Sequence, residues 1–251
     1  MRIVRDAEID VSEWAQLYEI SENSVFFQSP ECYQFYKQLS FLKPFVFGIK
    51  HNDRLIALIS GYIVFSKNIV LRHFSRRAVI HGNFLSIPNE LSESQLRTLL
   101  RTLRDELKNS VNYIEIRNLF DTKKLKEVFF SEGFRYESHL NLHIDTSVSC
   151  EDVFKRLHLS KKRQVRNAVK SGLFCVESKE NDDLVRFYNL LGSLYKARVR
   201  LPLFPIEFFQ KLIQLPNIKL IVVKNGVEVV GGILLLIDST IVYEWYIAGL
   251  S

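Results

Sequence analysis

Cysteine is scarce in this chain: Cys32, Cys150 and Cys175 are odd in number, far apart and form no C-x-x-C pair. That spacing argues against a disulfide framework and a thiolate metal site, and buried reduced thiols are expected instead. Long apolar runs are missing too. The longest, VVGGILLLI at residues 229–237, is far shorter than the roughly 20 residues that cross a bilayer, so no transmembrane helix is expected. The N-terminus MRIVRDAEID is charged and has no apolar stretch, which argues against a secretory signal and makes the cytoplasm the expected compartment. The sequence contains no G-x-S-x-G, no H-E-x-x-H and no G-x-x-x-x-G-K-S/T, so no covalent nucleophile, zinc-protease pair or P-loop is found. Histidine offers no metal centre. His139 and His143 lie four residues apart on an expected strand, so at about 3.3 Å per residue they cannot share one ion. His81, beside Gly82, has no visible partner.

What is present is enough apolar sequence for a real core: 47% of 251 residues are hydrophobic and 25% are charged. The net charge of +6 and the pI of about 9.1 suit phosphate-bearing partners. The chain also repeats itself. At a shift of 173 residues, DVSEWAQLYEIS (residues 10–21) meets DLVRFYNLLGSL (183–194). At the same shift, FYKQLSFLKPFVFGIKHNDRLIALISG (35–61) meets FFQKLIQLPNIKLIVVKNGVEVVGGIL (208–234), with Asn52 on Asn225. A duplicated domain is the expected organisation.

Each unit reads in the same order. An amphipathic helix over residues 9–20 precedes a second that starts after Ser29-Pro30, where serine caps and proline suits the first turn. FVFGIK and LIALISGYIVF, joined by His-Asn-Asp, read as an antiparallel hairpin, followed by a third strand through NIVLRHFSRRAVIHG (68–82). Residues 92–109 open with Ser92 and Gln95 at capping-box spacing and carry Leu96, Leu99, Leu100, Leu103 and Leu107 on one helical face. VNYIEIRNLF then supplies a strand, residues 121–132 a short helix, and FRYESHLNLHID (134–145) an alternating final strand.

That order, twice over, resembles the GNAT acyltransferase fold, and its duplication resembles the Fem family of aminoacyl-tRNA-dependent peptidyltransferases with related FemAB-like enzymes. Three stretches carry the resemblance. FFQSPECYQFYK (26–37) is similar to the family's Phe-Gln-Ser-x-x-aromatic helix opening that ends on lysine. KKRQVRNAVKSGLFCV (161–176) resembles its Arg-x-x-Ile-x-x-Ala-x-Lys-x-Gly signature. GVEVVGGILLLIDSTIVYEWYIAGLS (226–251) resembles its hairpin running into an aromatic strand. IHGNFL (80–85) departs from the Gly-Gly-Pro or Gly-Pro of many members. The resemblance implies an α+β protein with mixed sheets in two tandem GNAT-like domains: residues 1–147, then 148–251 as a basic helix plus an incomplete second domain. Under the repeat register Ser251 falls opposite Ala78, inside a sheet strand, so truncation of a longer protein is expected.

Seven cations lie between Lys155 and Lys170 with no acid among them. If residues 152–170 form one helix, Lys162, Arg166 and Lys170 make a stripe beside Val165 and Val169, and with Lys161 and Arg163 they suit tRNA or other phosphates. Arg198 and Arg200 alternate beside two prolines in an expected rigid loop, a geometry that suits a diphosphate or carboxylate. The Fem resemblance implies that Lys37 and an arginine of this loop bind the diphosphate of a nucleotide- or lipid-linked cell-wall precursor in a cleft between the units. Tyr243 and Trp245 could line an acceptor groove, and Glu244, the only acid on that strand, is a weak candidate base.

The leading expectation is a cytoplasmic, peripherally membrane-contacting transferase. It would move an aminoacyl group from aminoacyl-tRNA to an amine of a peptidoglycan precursor, with no tightly bound cofactor and no metal. The first alternative is an N-acyltransferase using acyl-CoA or acyl carrier protein on an amino sugar in surface-polysaccharide synthesis. HGNFLSIPNELSES has one glycine and no pyrophosphate-turn pattern, so CoA is not expected in the first unit. The second alternative is a non-catalytic module for nucleotide-sugar or glycolipid ligands.

Overall fold

Local chemistry sets the element boundaries in the computed structural model, which describes residues 1–65, 76–238 and 241–250. The chain divides into two units, Met1–Asn141 and Leu142–Ser251. In the first, β1 (Arg2–Arg5) leads to α1 (Val11–Ile20), whose cap Asp10 accepts hydrogen bonds from the Ser12 and Glu13 amides and whose Trp14 and Leu17 are buried. The Phe-Gln-Ser motif makes a 3₁₀ turn, Phe26–Gln28, in which the Gln28 Oε1 accepts from the Val25 amide at 3.0 Å. The Gln28 carbonyl accepts from Trp14 Nε1 at 2.8 Å, tying the turn to α1. Ser29 then caps α2 (Pro30–Lys37), with Pro30 in the first turn.

Next come the long hairpin of β2 (Leu42–His51) and β3 (Arg54–Val64), then β4 (Arg77–His81), the short β5 (Leu85–Ser86), α3 (Glu93–Leu107), β6 (Tyr113–Arg117) and α4 (Lys126–Ser131). Nine consecutive residues of β3 are buried, as expected of a strand covered on both faces. The sheet order is β1-β2-β3-β4-β6, with β5 paired to β3. All pairs are antiparallel except β4 with β6. The Ser92–Gln95 capping box starts α3, and its five leucines are buried.

The second unit runs α5 (Cys150–Arg156), α6 (Leu159–Lys170), β7 (Leu173–Ser178), α7 (Asn181–Leu194), α8 (Ile206–Leu212), β8 (Ile218–Asn225), β9 (Glu228–Ile237) and β10 (Val242–Gly249). Its sheet order, β7-β8-β9-β10, repeats β1-β2-β3-β4 strand for strand, and every pair is antiparallel in both sets. Leu184, Phe187 and Leu191 are buried on α7, which packs on α8, β9 and β10, and Phe208, Phe209 and Leu212 are buried on α8. Gly232 lets α7 approach, since a Cβ there would lie 2.9 Å from the Phe187 ring.

The duplication extends to an ion pair. Lys50 at the end of β2 reaches Glu13 of α1 at 2.5 Å, and Lys224 at the end of β8 reaches Asp183 of α7 at 2.7 Å. In each unit a lysine near the end of the second strand clamps the helix that follows the first strand onto the sheet.

Three expectations are corrected. His51 pairs with Arg54 and Asn225 with Glu228, so the hairpins superpose at a shift of 174 and Asn52 meets Gly226 rather than Asn225. The first turn has positive φ at both Asn52 and Asp53, as in type I′, and the second at Gly226 alone, as in type II′. Residues 134–145 form no strand: among the described residues no neighbouring strand completes their backbone hydrogen bonds, and Leu140 and Leu142 are 94% and 92% exposed. The helix expected over residues 152–170 breaks at Leu157 and His158, both extended, and the His158 side chain accepts from the Ser160 amide to start α6. Residues 68–75 of the expected third strand lie outside the described residues.

Candidate functional site

Three backbone irregularities of the second unit gather around one aromatic cluster. Glu244 pairs with Leu235 and Tyr246 with Leu234, so Trp245 is the extra residue of a β-bulge. Alternation would send Trp245 and Tyr246 to opposite faces, but the bulge turns both toward α8. Trp245 packs edge-on to Phe208 with centroids 5.6 Å apart, and Tyr246 packs on Phe209 at 4.8 Å. Phe204 stacks on Phe208 at 4.6 Å, and the Tyr188 hydroxyl donates to the Phe204 carbonyl at 3.1 Å. Burial pushes the Tyr188 phenol above its usual range.

Directly after α7 the chain makes a π-helical turn, Tyr195–Val199, whose Tyr195 ring meets Tyr246 at 6.4 Å. Arg200 follows in the left-handed region at φ 57°, its amide donating to the Tyr195 carbonyl at 2.7 Å. A π turn, a left-handed non-glycine residue and a β-bulge in one neighbourhood are features that structures hold at binding sites.

These placements revise the expected roles. Arg198 belongs to the π turn, not to a loop, and Arg200 is its cap; both are exposed. Trp245 and Tyr243 are half-buried. Glu244 is exposed and lacks the apolar enclosure that a buried base needs. Lys37, in the first unit, ends α2 exposed, with its ammonium 5.6 Å from the centre of the Tyr33 ring.

The cationic stripe is reassigned in part. Lys162 donates to the Lys155 carbonyl at 2.6 Å, and Arg166 lies 5.8 Å over the Phe154 ring, so both secure the corner between α5 and α6. Lys161, Arg163 and Lys170 are exposed on α6 and suit phosphate contact. Val165 and Val169 are exposed too, so the apolar face expected beside the stripe is not packed.

Sequence reasoning missed the bulge and the π turn. The only signal for the bulge is the aromatic run Trp245-Tyr246, which breaks period-two alternation. It also missed the burial of His81, which stacks on Phe27 at 4.6 Å with Nε2 3.5 Å from the Tyr62 hydroxyl. Burial, then the charges of Arg117 and Arg77, push this imidazole down to about 3. His139 and His143 are exposed. Among the described residues no cluster of three metal-ligating side chains exists, and no helix is long and apolar enough to cross a membrane.

No family model matches the sequence, and no curated protein does. Among solved structures, FemX aligns with 99% of this chain and 80% of its own at a TM-score of 0.64 and 12% identity. The chain has the FemX fold. That fold is mixed α+β, with two similar units in tandem, as the shared strand order of the two units shows. An aminoglycoside acetyltransferase from Acinetobacter haemolyticus covers 59% of this chain over its whole length, at a TM-score of 0.42 and 15% identity. A Clostridium acetobutylicum acetyltransferase solved with acetyl-CoA covers 57% of this chain and 95% of its own, at 0.39 and 16%. At such scores these partial likenesses carry no argument about activity.

Proposed function

We propose that the protein is a FemAB-like acyltransferase that forms an amide bond, moving an aminoacyl group from aminoacyl-tRNA to an amine of a peptidoglycan precursor. The observation that carries this reading is the FemX fold along 99% of the chain. The three motifs that resemble the Fem family, in the family's order, add support. The amine nitrogen attacks the ester carbonyl, the carbon–oxygen bond to the tRNA ribose breaks, the amine loses a proton, and the ribose oxygen leaves as a hydroxyl.

An aminoacyl ester is already activated, so holding amine and ester together supplies much of the rate without a dedicated base. Exposure of Glu244 agrees with that economy. Arg198 and Arg200 would grip the precursor's diphosphate through bidentate contacts, while Trp245 and Tyr243 offer ring faces to the acceptor. Lys161, Arg163 and Lys170 would meet tRNA phosphates.

Mass spectrometry of a cell-wall precursor incubated with the protein and a pool of charged tRNAs tests the reading. A gain of one aminoacyl residue is expected. A gain of an acyl group from acyl-CoA and none from tRNA would replace it with the N-acyltransferase reading.

A further inference from the structure

Tyr188 stands seven residues before Tyr195, and since seven residues make two helical turns, both tyrosines lie on one face of α7 and its continuation. Both meet the aromatic cluster. The Tyr188 ring lies edge-on to Phe209 with centroids 5.3 Å apart, the Tyr195 ring meets Tyr246 at 6.4 Å, and Phe209 packs on Tyr246 at 4.8 Å. These contacts close a circuit from α7 through α8 and β10 back to the π turn that carries Arg198.

The Tyr188 hydroxyl adds a tie that the ring does not make. It reaches across sixteen residues of chain to donate to the Phe204 carbonyl at 3.1 Å. Phe204 ends a segment, residues 201–204, that lies between the left-handed Arg200 and Pro205, the cap of α8, and belongs to no helix or strand. Phe204 also stacks on Phe208 at 4.6 Å, and Phe208 meets Trp245 at 5.6 Å. One end of the segment is therefore continuous with the arginine-bearing turn, and the other packs toward Trp245.

A segment outside the helix and strand ladders loses backbone freedom whenever it is fixed. A helix side chain that holds its carbonyl settles that loss before a ligand arrives, which is preorganisation. The phenol is suited to the task, because burial holds it above its usual range and so keeps the proton that it donates.

We propose that Tyr188 is a positioning residue, whose hydroxyl holds residues 201–204 so that the arginine turn and Trp245 keep one spacing for the two ends of the precursor. The proposal rests on the reading above, in which Arg198 and Arg200 meet the diphosphate and Trp245 the acceptor. Where such a spacing fluctuates, only the molecules that have it bind, and the apparent affinity falls by that fraction. Loss of one neutral hydrogen bond of ordinary strength changes such a fraction about fivefold.

Tyr188→Phe removes the hydroxyl and keeps the edge contact with Phe209. The full chain, this variant and the Arg198→Gln, Arg200→Gln pair are titrated calorimetrically with nucleotide-linked and then lipid-linked cell-wall precursor, and transfer kinetics are measured with charged tRNA in excess. The parent should bind one of the two, and the arginine pair should weaken that binding at least about tenfold. Tyr188→Phe should bind the same precursor about fivefold more weakly and raise its KM by the same factor, without a matching fall in kcat. A purely structural role would instead shrink the folded fraction, lowering the unfolding temperature and the apparent kcat while leaving KM unchanged, and that result would overturn the proposal. If the arginine pair weakens binding but Tyr188→Phe binds like the parent, the proposal falls and the reading of the site stands. If the parent binds neither precursor, or the arginine pair binds like the parent, the reading of the site falls and the proposal falls with it.

Discussion

His81 and Asp183 show how two single side chains make this protein sensitive to acid. His81 is held near 3 in the fold against an ordinary 6.5, because burial and then Arg117 and Arg77 oppose its charge. Above pH 6.5 the folded and unfolded chains are both neutral there. As pH falls from 6.5 toward 3, the unfolded chain takes up a proton that the fold refuses, so stability drops by about 1.4 kcal/mol per pH unit. Asp183 acts lower on the scale: burial raises its carboxyl, but Lys224 and Ser178 outweigh that and leave it below 3.8. Its contribution is present above pH 3.8 and is lost as pH falls below it. Urea unfolding between pH 7 and pH 4 should therefore show a steep loss in the parent and a flatter one in His81→Leu; equal slopes would remove His81 as the cause. Lys224→Met leaves the buried Asp183 carboxylate without its cation and should cost roughly 3 kcal/mol, read from the urea midpoint. Lys50→Met should cost about 1 kcal/mol, because Glu13 keeps more contact with water.

Helix α6 divides its cations between two tasks, and substitution can separate them. Lys162 and Arg166 hold the corner with α5, while Lys161, Arg163 and Lys170 face solvent. Changing the exposed three together to glutamine should leave helicity intact and make the salt dependence of tRNA binding shallower by about 2 to 3 in log–log slope. The Lys162→Gln, Arg166→Gln pair should instead lower the unfolding temperature with a smaller change in slope. Circular dichroism and filter binding at several salt concentrations would measure both, and an unchanged slope in the triple variant would remove α6 from tRNA contact. The same division explains why the stripe was only half legible. Spacing by four placed Lys162, Arg166 and Lys170 on one face, but nothing in that spacing revealed that His158 would start a new helix and that Phe154 would sit beneath Arg166.

Across the whole molecule, what repeats was legible and what departs from regular geometry was not. Helix caps at Ser29 and Ser92, the leucine face of α3, the two hairpins and the duplication were legible from local chemistry and the repeat. Residues 134–145 alternate like a strand, yet alternation makes a strand only where a neighbour completes the backbone hydrogen bonds. Trp245 and Tyr195–Val199 carry single-residue irregularities that no period encodes, and they shape the candidate site. The burial of His81 depends on β4 meeting a turn more than fifty residues earlier in the chain, beyond the reach of any local pattern. The central claim is that this fold takes its acyl group from charged tRNA. The most direct measurement is transfer of labelled amino acid from a mixed charged-tRNA pool to cell-wall precursor, with and without ribonuclease. Label that reaches the precursor and vanishes when ribonuclease is added first is the expected result; no transfer by the folded protein, or transfer indifferent to ribonuclease, would contradict the account.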